Sequence, residues 1–169
     1  MFDNSIVSEK YLNTDPLINK LKSEYLNASP FPNIMIDNFF NEIFLDKVLE
    51  EFPNLSILEK SHQYKNIDEV KFANNDYKNF PPNIKKLIDF MNSNKFIDFL
   101  QNITSIKEKL LSDPELNGGG LHEIKSGGYL KVHTDFNKHP NLNLDRRINI
   151  LIYLNKNWNN TFGGDLQLW

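Results

Sequence analysis

The hydrophobic positions of this chain follow a helical period in its middle and an alternating one toward its end. In Asn41–Phe52, the residues Phe44, Val48 and Phe52 fall on one face of a helix, and Pro53 stops it. Pro81-Pro82 opens a second helix, in which Ile84, Leu87, Ile88 and Met91 occupy the i, i+3, i+4 and i+7 positions. A third is predicted from about Lys95 to Ile103, with Phe96, Phe99 and Leu100 on one side. Such stripes could line a substrate groove, but a helix needs one merely to stay packed, so core packing is the expected use. Asn33–Asp37 alternates like a short strand, whereas residues 56–79 are polar, weakly periodic and expected to be loop-rich.

After residue 118 the period shortens. Gly127-Gly128 reads as a turn, followed by an alternating strand from Tyr129 to Asp135 and a polar loop through Asn137, Pro140 and Asn143. Arg147–Leu154 is β-branched and apolar enough for a buried strand, and Asn155-Lys156-Asn157 closes it as a turn. A third strand is predicted at Asp165–Trp169, beyond Gly163-Gly164. Short strands separated by Gly, Asn and Pro turns imply an antiparallel sandwich or jelly roll. The last of these strands closes on Trp169 with nothing to pair its far side, which would leave an open edge. The chain is therefore expected to be incomplete at its C terminus, completed by another polypeptide, or the product of a decayed gene.

With 169 residues there is room for one core, so we expect a single α+β domain: a mainly helical support region, 1–117, and the first strands of a sheet, 118–169. A net charge of −3 with dispersed Lys and Arg argues against nucleic acid as a partner, since phosphate contacts need a concentrated basic patch. The absence of cysteine removes disulfides, Cys-ligated zinc and iron–sulfur clusters. No apolar run approaches the ~20 residues of a membrane span, and Met1-Phe2-Asp3-Asn4 is unlike a signal peptide, so a cytoplasmic protein without a membrane partner is expected. No internal repeat or linker divides the chain.

The candidate chemistry lies in His133-Thr134-Asp135. On a strand, residues two apart project from one side roughly 6.6 Å apart, so one imidazole and one carboxylate could grip a single ion. A non-haem Fe(II) facial triad uses two histidines and one carboxylate, and His133 and Asp135 would supply two of the three ligands. Alone, the pair reads equally as a surface histidine beside a solvated aspartate. Of the other histidines, His139 precedes Pro140 in a polar loop and His62 has no ligand types beside it, so neither is expected to bind metal.

Taken in order, Gly118-Gly119-Gly120-Leu121-His122-Glu123-Ile124, Gly127-Gly128-Tyr129-Leu130, His133-Thr134-Asp135-Phe136-Asn137, Arg146-Arg147, Tyr153-Leu154-Asn155, Trp158 and Gly163-Gly164 resemble the prolyl-4-hydroxylase-like branch of the 2-oxoglutarate- and Fe(II)-dependent dioxygenases. The resemblance covers about the last fifty residues, with a looser echo in Pro30–Phe39. It implies a double-stranded β-helix, a cupin-like jelly roll, of which only the first half is present. It also implies a second metal-binding histidine followed by a basic residue for the distal carboxylate of 2-oxoglutarate, neither of which precedes Trp169.

The implied reaction hydroxylates an unactivated C–H bond of a small-molecule or peptidyl substrate, prolyl or another amino acid. Fe(II), 2-oxoglutarate and dioxygen are the cofactors and co-substrates, ascorbate an optional addition, and succinate and CO2 the co-products. Tyr153 corresponds to a tyrosine that reaches the far carboxylate of 2-oxoglutarate, or else it is an ordinary strand aromatic. Asn149 and Arg147 share its parity, His122 occupies a co-substrate position, and Tyr129 shares parity with His133 and is read either as lining the site or as packing. Asn137 is a candidate to orient Asp135, or a turn residue. The competing reading is a non-catalytic jelly-roll binding module, or a decayed oxygenase, lacking the distal histidine.

Overall fold

In a computed structural model the chain forms two compact units, Met1–Phe52 with Pro81–Pro114, and Pro53–Phe80 with Glu115–Leu168. The structure describes residues 1–139 and 141–169, so Pro140, expected in the loop after His139, lies outside the described residues.

The first unit is helical. Its helices are α1 (Ile18–Leu26), α2 (Glu42–Glu50), α3 (Pro82–Met91) and α4 (Asn94–Thr104). Three of them begin where local chemistry satisfies the orphan amides of a first turn. The Asn41 side chain accepts from the Phe44 amide at 3.3 Å and that of Ser93 from the Phe96 amide at 3.3 Å. In α3, Pro82 takes the first position, where a missing N–H costs nothing. The Glu51 carboxylate then accepts from both the backbone and the side-chain amide of Asn83, each at 2.7 Å. The predicted stripes are buried: Phe44 and Val48 on α2, Ile84, Leu87 and Ile88 on α3, Phe96, Phe99 and Leu100 on α4. They meet an aromatic cluster in which the Phe2 ring lies 5.3 Å from Phe90 and 5.8 Å from both Phe39 and Phe99, largely edge-on, the geometry the ring quadrupole favours. Helix α1 carries no side-chain cap and buries only Leu21, which is why its sequence gives so little warning of it.

The second unit holds a small antiparallel sheet, making the architecture α+β. Strands β1 (His62–Lys65) and β2 (Glu69–Asn74) form a hairpin. Its turn is an Asx motif: the Asn66 side chain accepts from the amides of Asp68 at 2.8 Å and Glu69 at 3.1 Å. Strands β3 (Leu121–Glu123) and β4 (Tyr129–Leu130) lie end to end along the other edge of β2, with the excursion 124–128 between them. Glycine permits both close approaches. A side chain on Gly128 would meet the Val70 carbonyl oxygen at 2.7 Å, and one on Gly120, whose φ is +127°, would meet that of Asn74 at 2.4 Å.

Pairing sorts the sheet into two faces. One carries Tyr64 opposite Lys71, Ala73 opposite both His62 and His122, and Glu69 opposite Leu130. The other carries Val70 opposite Tyr129, Phe72 opposite Glu123, and Asn74 opposite Leu121. Asn74 and Leu121 on this second face are buried, and Glu123 there accepts the amide of buried Leu55 at 2.9 Å.

Several expectations are corrected. Residues 56–79 contain the hairpin rather than a loop, because β1 is polar and exposed throughout and hides its strand character. Asn33–Asp37 is not a strand; the Asn33 side chain instead donates to the carbonyls of Ser29 and Phe31 in a local turn. The strand expected over Tyr129–Asp135 is paired only at Tyr129–Leu130, since the chain bends at Val132 after the Lys131 amide has bonded to Asp68. Arg147–Leu154 and Asp165–Trp169 form no ladder among the described residues. Strand propensity describes a side-chain set that suits a pleated surface, and a ladder still requires a partner backbone. What does form is a closed loop, with the Arg146 amide on the Asn137 carbonyl at 2.9 Å and the His139 amide on that of Leu144 at 2.9 Å.

Candidate metal centre

The bend at Val132 carries the chain off β4 and across the face that bears Glu69 and Lys71. A cleft of about 530 Å³ results, walled by Asp68, Glu69 and Lys71 on one side and by residues 130–136 on the other. Leu130, Val132 and Phe136 are its apolar lining residues. Lys71 and Glu69 pair at 2.9 Å with side chains only 14% and 19% exposed, and the Lys71 ammonium lies 5.0 Å from the centre of the Tyr64 ring. The bond from Lys71 holds the Glu69 carboxyl below its ordinary range. Desolvated charges are costly unless partnered, and these two partner each other.

His133 and Asp135 stand together in this cleft, His133 Nε2 lying 3.4 Å from Asp135 Oδ1. The other ring nitrogen, Nδ1, is 2.7 Å from the Lys131 carbonyl oxygen. A carbonyl can only accept, so this contact requires a proton on Nδ1, and Nε2 is the ring nitrogen that faces the carboxylate. Two lone-pair donors facing each other repel unless a proton or a cation lies between them. Donors about 2.1 Å from a first-row ion and at right angles would stand roughly 3 Å apart, so the observed spacing needs little adjustment. The imidazole and carboxylate donors suit a divalent ion such as iron. Among the described residues, no group of three His, Asp or Glu is placed to hold a metal, so the fit extends to two ligands.

The far oxygen of Asp135 is held from the opposite side. Asn149 Nδ2 donates to Oδ2 at 3.0 Å, and Arg146 Nη1 lies 3.4 Å from it. Arg146 is itself fixed: Nη2 donates to Asn149 Oδ1 at 3.0 Å and to the Gly118 carbonyl at 3.3 Å, and the guanidinium lies 4.8 Å from the centre of the Phe136 ring. Phe136 fits because Gly118 has no side chain; a Cβ there would meet its Cζ at 2.6 Å. Gly118, Phe136 and Arg146 thus form one packed group around the H-x-D turn.

The remaining sequence candidates are distributed as follows. His122 lies on β3 on the same sheet face as Glu69 and Lys71. Partial burial pushes its pKa below the ordinary value although part of the side chain reaches solvent, with the Lys71 charge adding to the effect. Tyr129 is on the opposite face, its hydroxyl donating to the Asn66 carbonyl at 3.0 Å. Asn149 contacts Asp135, in the manner expected of Asn137, while the Asn137 carbonyl closes the loop with Arg146. Arg147 borders a smaller hollow behind Asp135. Tyr153 is 59% exposed. His139 accepts the amides of Asn141 and Leu142, and His62 is exposed on β1. Trp158 donates to the Gly163 carbonyl at 3.0 Å, closing the Gly-Gly loop locally.

Glu69, Lys71 and Arg146 were not singled out from sequence as site residues. The alternation Glu69-Val70-Lys71-Phe72-Ala73-Asn74 was the available signal for the first two. Arg146 carried no signal that separated it from Arg147.

No helix of the described residues is long and apolar enough to cross a membrane. No solved structure gives a significant match to the chain. Residues 119–169, which hold His122, His133, Asp135, Arg146 and Asn149, match the family model of the 2OG-Fe(II) oxygenase superfamily.

Proposed function

We propose that this chain carries the H-x-D half of an Fe(II)- and 2-oxoglutarate-dependent dioxygenase centre just beyond β4, and that its sheet belongs to the opening half of a double-stranded β-helix of the prolyl-4-hydroxylase-like branch. The observation that carries the reading is the pairing of His133 Nε2 with Asp135 Oδ1 at 3.4 Å, with Nδ1 tied to a backbone carbonyl, inside the segment matched by the oxygenase family. His133 and Asp135 would hold the iron, and a further histidine would complete the triad. Bound iron would supply the dioxygen chemistry by which 2-oxoglutarate loses CO2 to give succinate, one oxygen atom entering succinate and the other the C–H bond of the substrate.

The chain's own residues orient and enclose. The Lys131 carbonyl anchors His133 through Nδ1, Leu130 and Phe136 give one wall an apolar lining, and His122 and Tyr153 are the residues we assign to 2-oxoglutarate. Tyr129 is assigned to holding the hairpin turn through Asn66. Charged Glu69 and Lys71 face the space where substrate would lie, which suits a small molecule or a peptide side chain better than a nucleic acid or membrane.

The test is release of CO2 from carboxyl-labelled 2-oxoglutarate in the presence of Fe(II), with prolyl peptides and free amino acids offered as substrates. Turnover that disappears in both His133→Ala and Asp135→Ala supports the reading. Turnover retained in either variant removes that residue from the centre. Metal binding by these residues without any turnover favours the binding-module alternative.

A further inference from the structure

Asp135 has two oxygens, and the structure gives them different surroundings. Oδ1 faces the His133 imidazole at 3.4 Å, whereas Oδ2 accepts from Asn149 Nδ2 at 3.0 Å and lies 3.4 Å from Arg146 Nη1. Arg146 and Asn149 also bond to each other at 3.0 Å, closing a three-residue ring around Oδ2. The Arg146 side chain is only 21% exposed, anchored on the Gly118 carbonyl and the Phe136 ring, so its position is set by packing rather than by the charge of Asp135 alone. A carboxylate with both oxygens free can bind an ion through either one or through both. A carboxylate whose second oxygen is already committed to two donors presents one.

We propose that Arg146 and Asn149 are positioning residues that hold Oδ2 of Asp135 and so offer Oδ1 alone, beside His133 Nε2, to a metal ion. This rests on the reading of His133 and Asp135 as metal ligands and adds to it the device that sets carboxylate geometry. Neither residue touches the ion; both act through Asp135.

The experiment measures Mn(II) binding to the full chain, by titration calorimetry and by the electron paramagnetic resonance spectrum of the bound ion. The variants are Arg146→Ala, Arg146→Lys, Asn149→Leu, His133→Ala and Asp135→Ala, each checked for an unchanged thermal midpoint. Partners that orient metal ligands typically contribute about 10- to 100-fold in affinity. We expect Arg146→Ala and Asn149→Leu to weaken Mn(II) by at least about tenfold, Arg146→Lys to recover part of the loss, and the spectrum of the bound ion to change in the first two. Should Arg146→Ala destabilise the unit by unpacking Phe136, Asn149→Leu carries the test, since Asn149 is exposed and serves no packed ring.

Affinity and spectrum unchanged in Arg146→Ala and Asn149→Leu, but lost in His133→Ala and Asp135→Ala, would overturn the positioning role and leave the metal centre standing. No saturable binding by the unaltered chain, or binding indifferent to His133→Ala and Asp135→Ala, would overturn the metal reading and this inference with it.

Discussion

Replacing Gly120 by alanine tests the strand pairing on which the cleft is built. Gly120 immediately precedes β3, with φ at +127°, and an added Cβ would stand 2.4 Å from the Asn74 carbonyl oxygen and 3.1 Å from its carbon. Both obstacles are backbone, so neither can swing aside. Backbone held in a region that only glycine tolerates costs about 1–3 kcal/mol, and forcing extra volume against fixed atoms costs about 1–3 kcal/mol more, giving roughly 2–6 kcal/mol. Whole domains are stable by about 5–15 kcal/mol, so the substitution removes a large share.

Two glycines serve as internal controls. Gly127 has φ at +78° with nothing within 4 Å of a Cβ, so alanine there meets only the left-handed penalty of about 1–2 kcal/mol. At Gly119 the nearest atom is a Leu116 methyl at 3.7 Å, an ordinary contact, and alanine there should be neutral or stabilising by up to about 1 kcal/mol. Urea unfolding followed by circular dichroism should rank the midpoints Gly119→Ala, then Gly127→Ala, then Gly120→Ala. With a slope of about 2 kcal/mol per molar, Gly120→Ala should fall by roughly 1–3 M. A Gly120→Ala midpoint equal to that of Gly119→Ala would refute the close approach of β3 to β2, and with it the register that places His122 on the cleft face.

Two further outcomes follow from polar groups in the same unit. Asn74 is 2% exposed; its side chain donates to the Glu59 carbonyl and to Ser61, each at 3.0 Å, and accepts from the Asp76 amide at 2.8 Å. Asn74→Ala should therefore cost about 1–3 kcal/mol in thermal or urea unfolding, and a loss below 0.5 kcal/mol, roughly the scale of a surface change, would contradict the network. His122, with its pKa held below the ordinary 6.5 by burial and then by Lys71, is protonated more readily in the unfolded chain, so stability is full above that value and falls as pH drops below it toward the folded pKa. The urea midpoint should decline between about pH 7.5 and about pH 5.5, and less steeply in His122→Gln; equal slopes would remove His122 as the cause.

Where structure arises from neighbours in sequence, the chain was readable. The stripe and stops of α2, α3 and α4 lie within a dozen residues of one another, and Pro82, Asn41 and Ser93 stand at the starts of those helices. The sheet was not readable in the same way. Lys71 and His122 share a face only because β2 pairs with β3 from some fifty residues away, and β1 offers no apolar face to betray it. Apolar strength misled in the opposite direction at Arg147–Leu154, which has the composition of a buried strand but no ladder among the described residues. Two residues of the candidate centre could be read from the spacing of His133 and Asp135. The choice of Arg146 over Arg147, and of Asn149 over Asn137, depends on how the loop 137–146 closes, and no periodicity encodes that.

The most direct test of the central claim is to add Mn(II) to the 15N-labelled chain and map which amide signals broaden first. The account predicts broadening centred on residues 131–136, spreading to Glu69–Lys71, His122 and Arg146, and lost in Asp135→Ala. Broadening centred on another cluster of carboxylates, or unchanged when Asp135 is replaced, would contradict it.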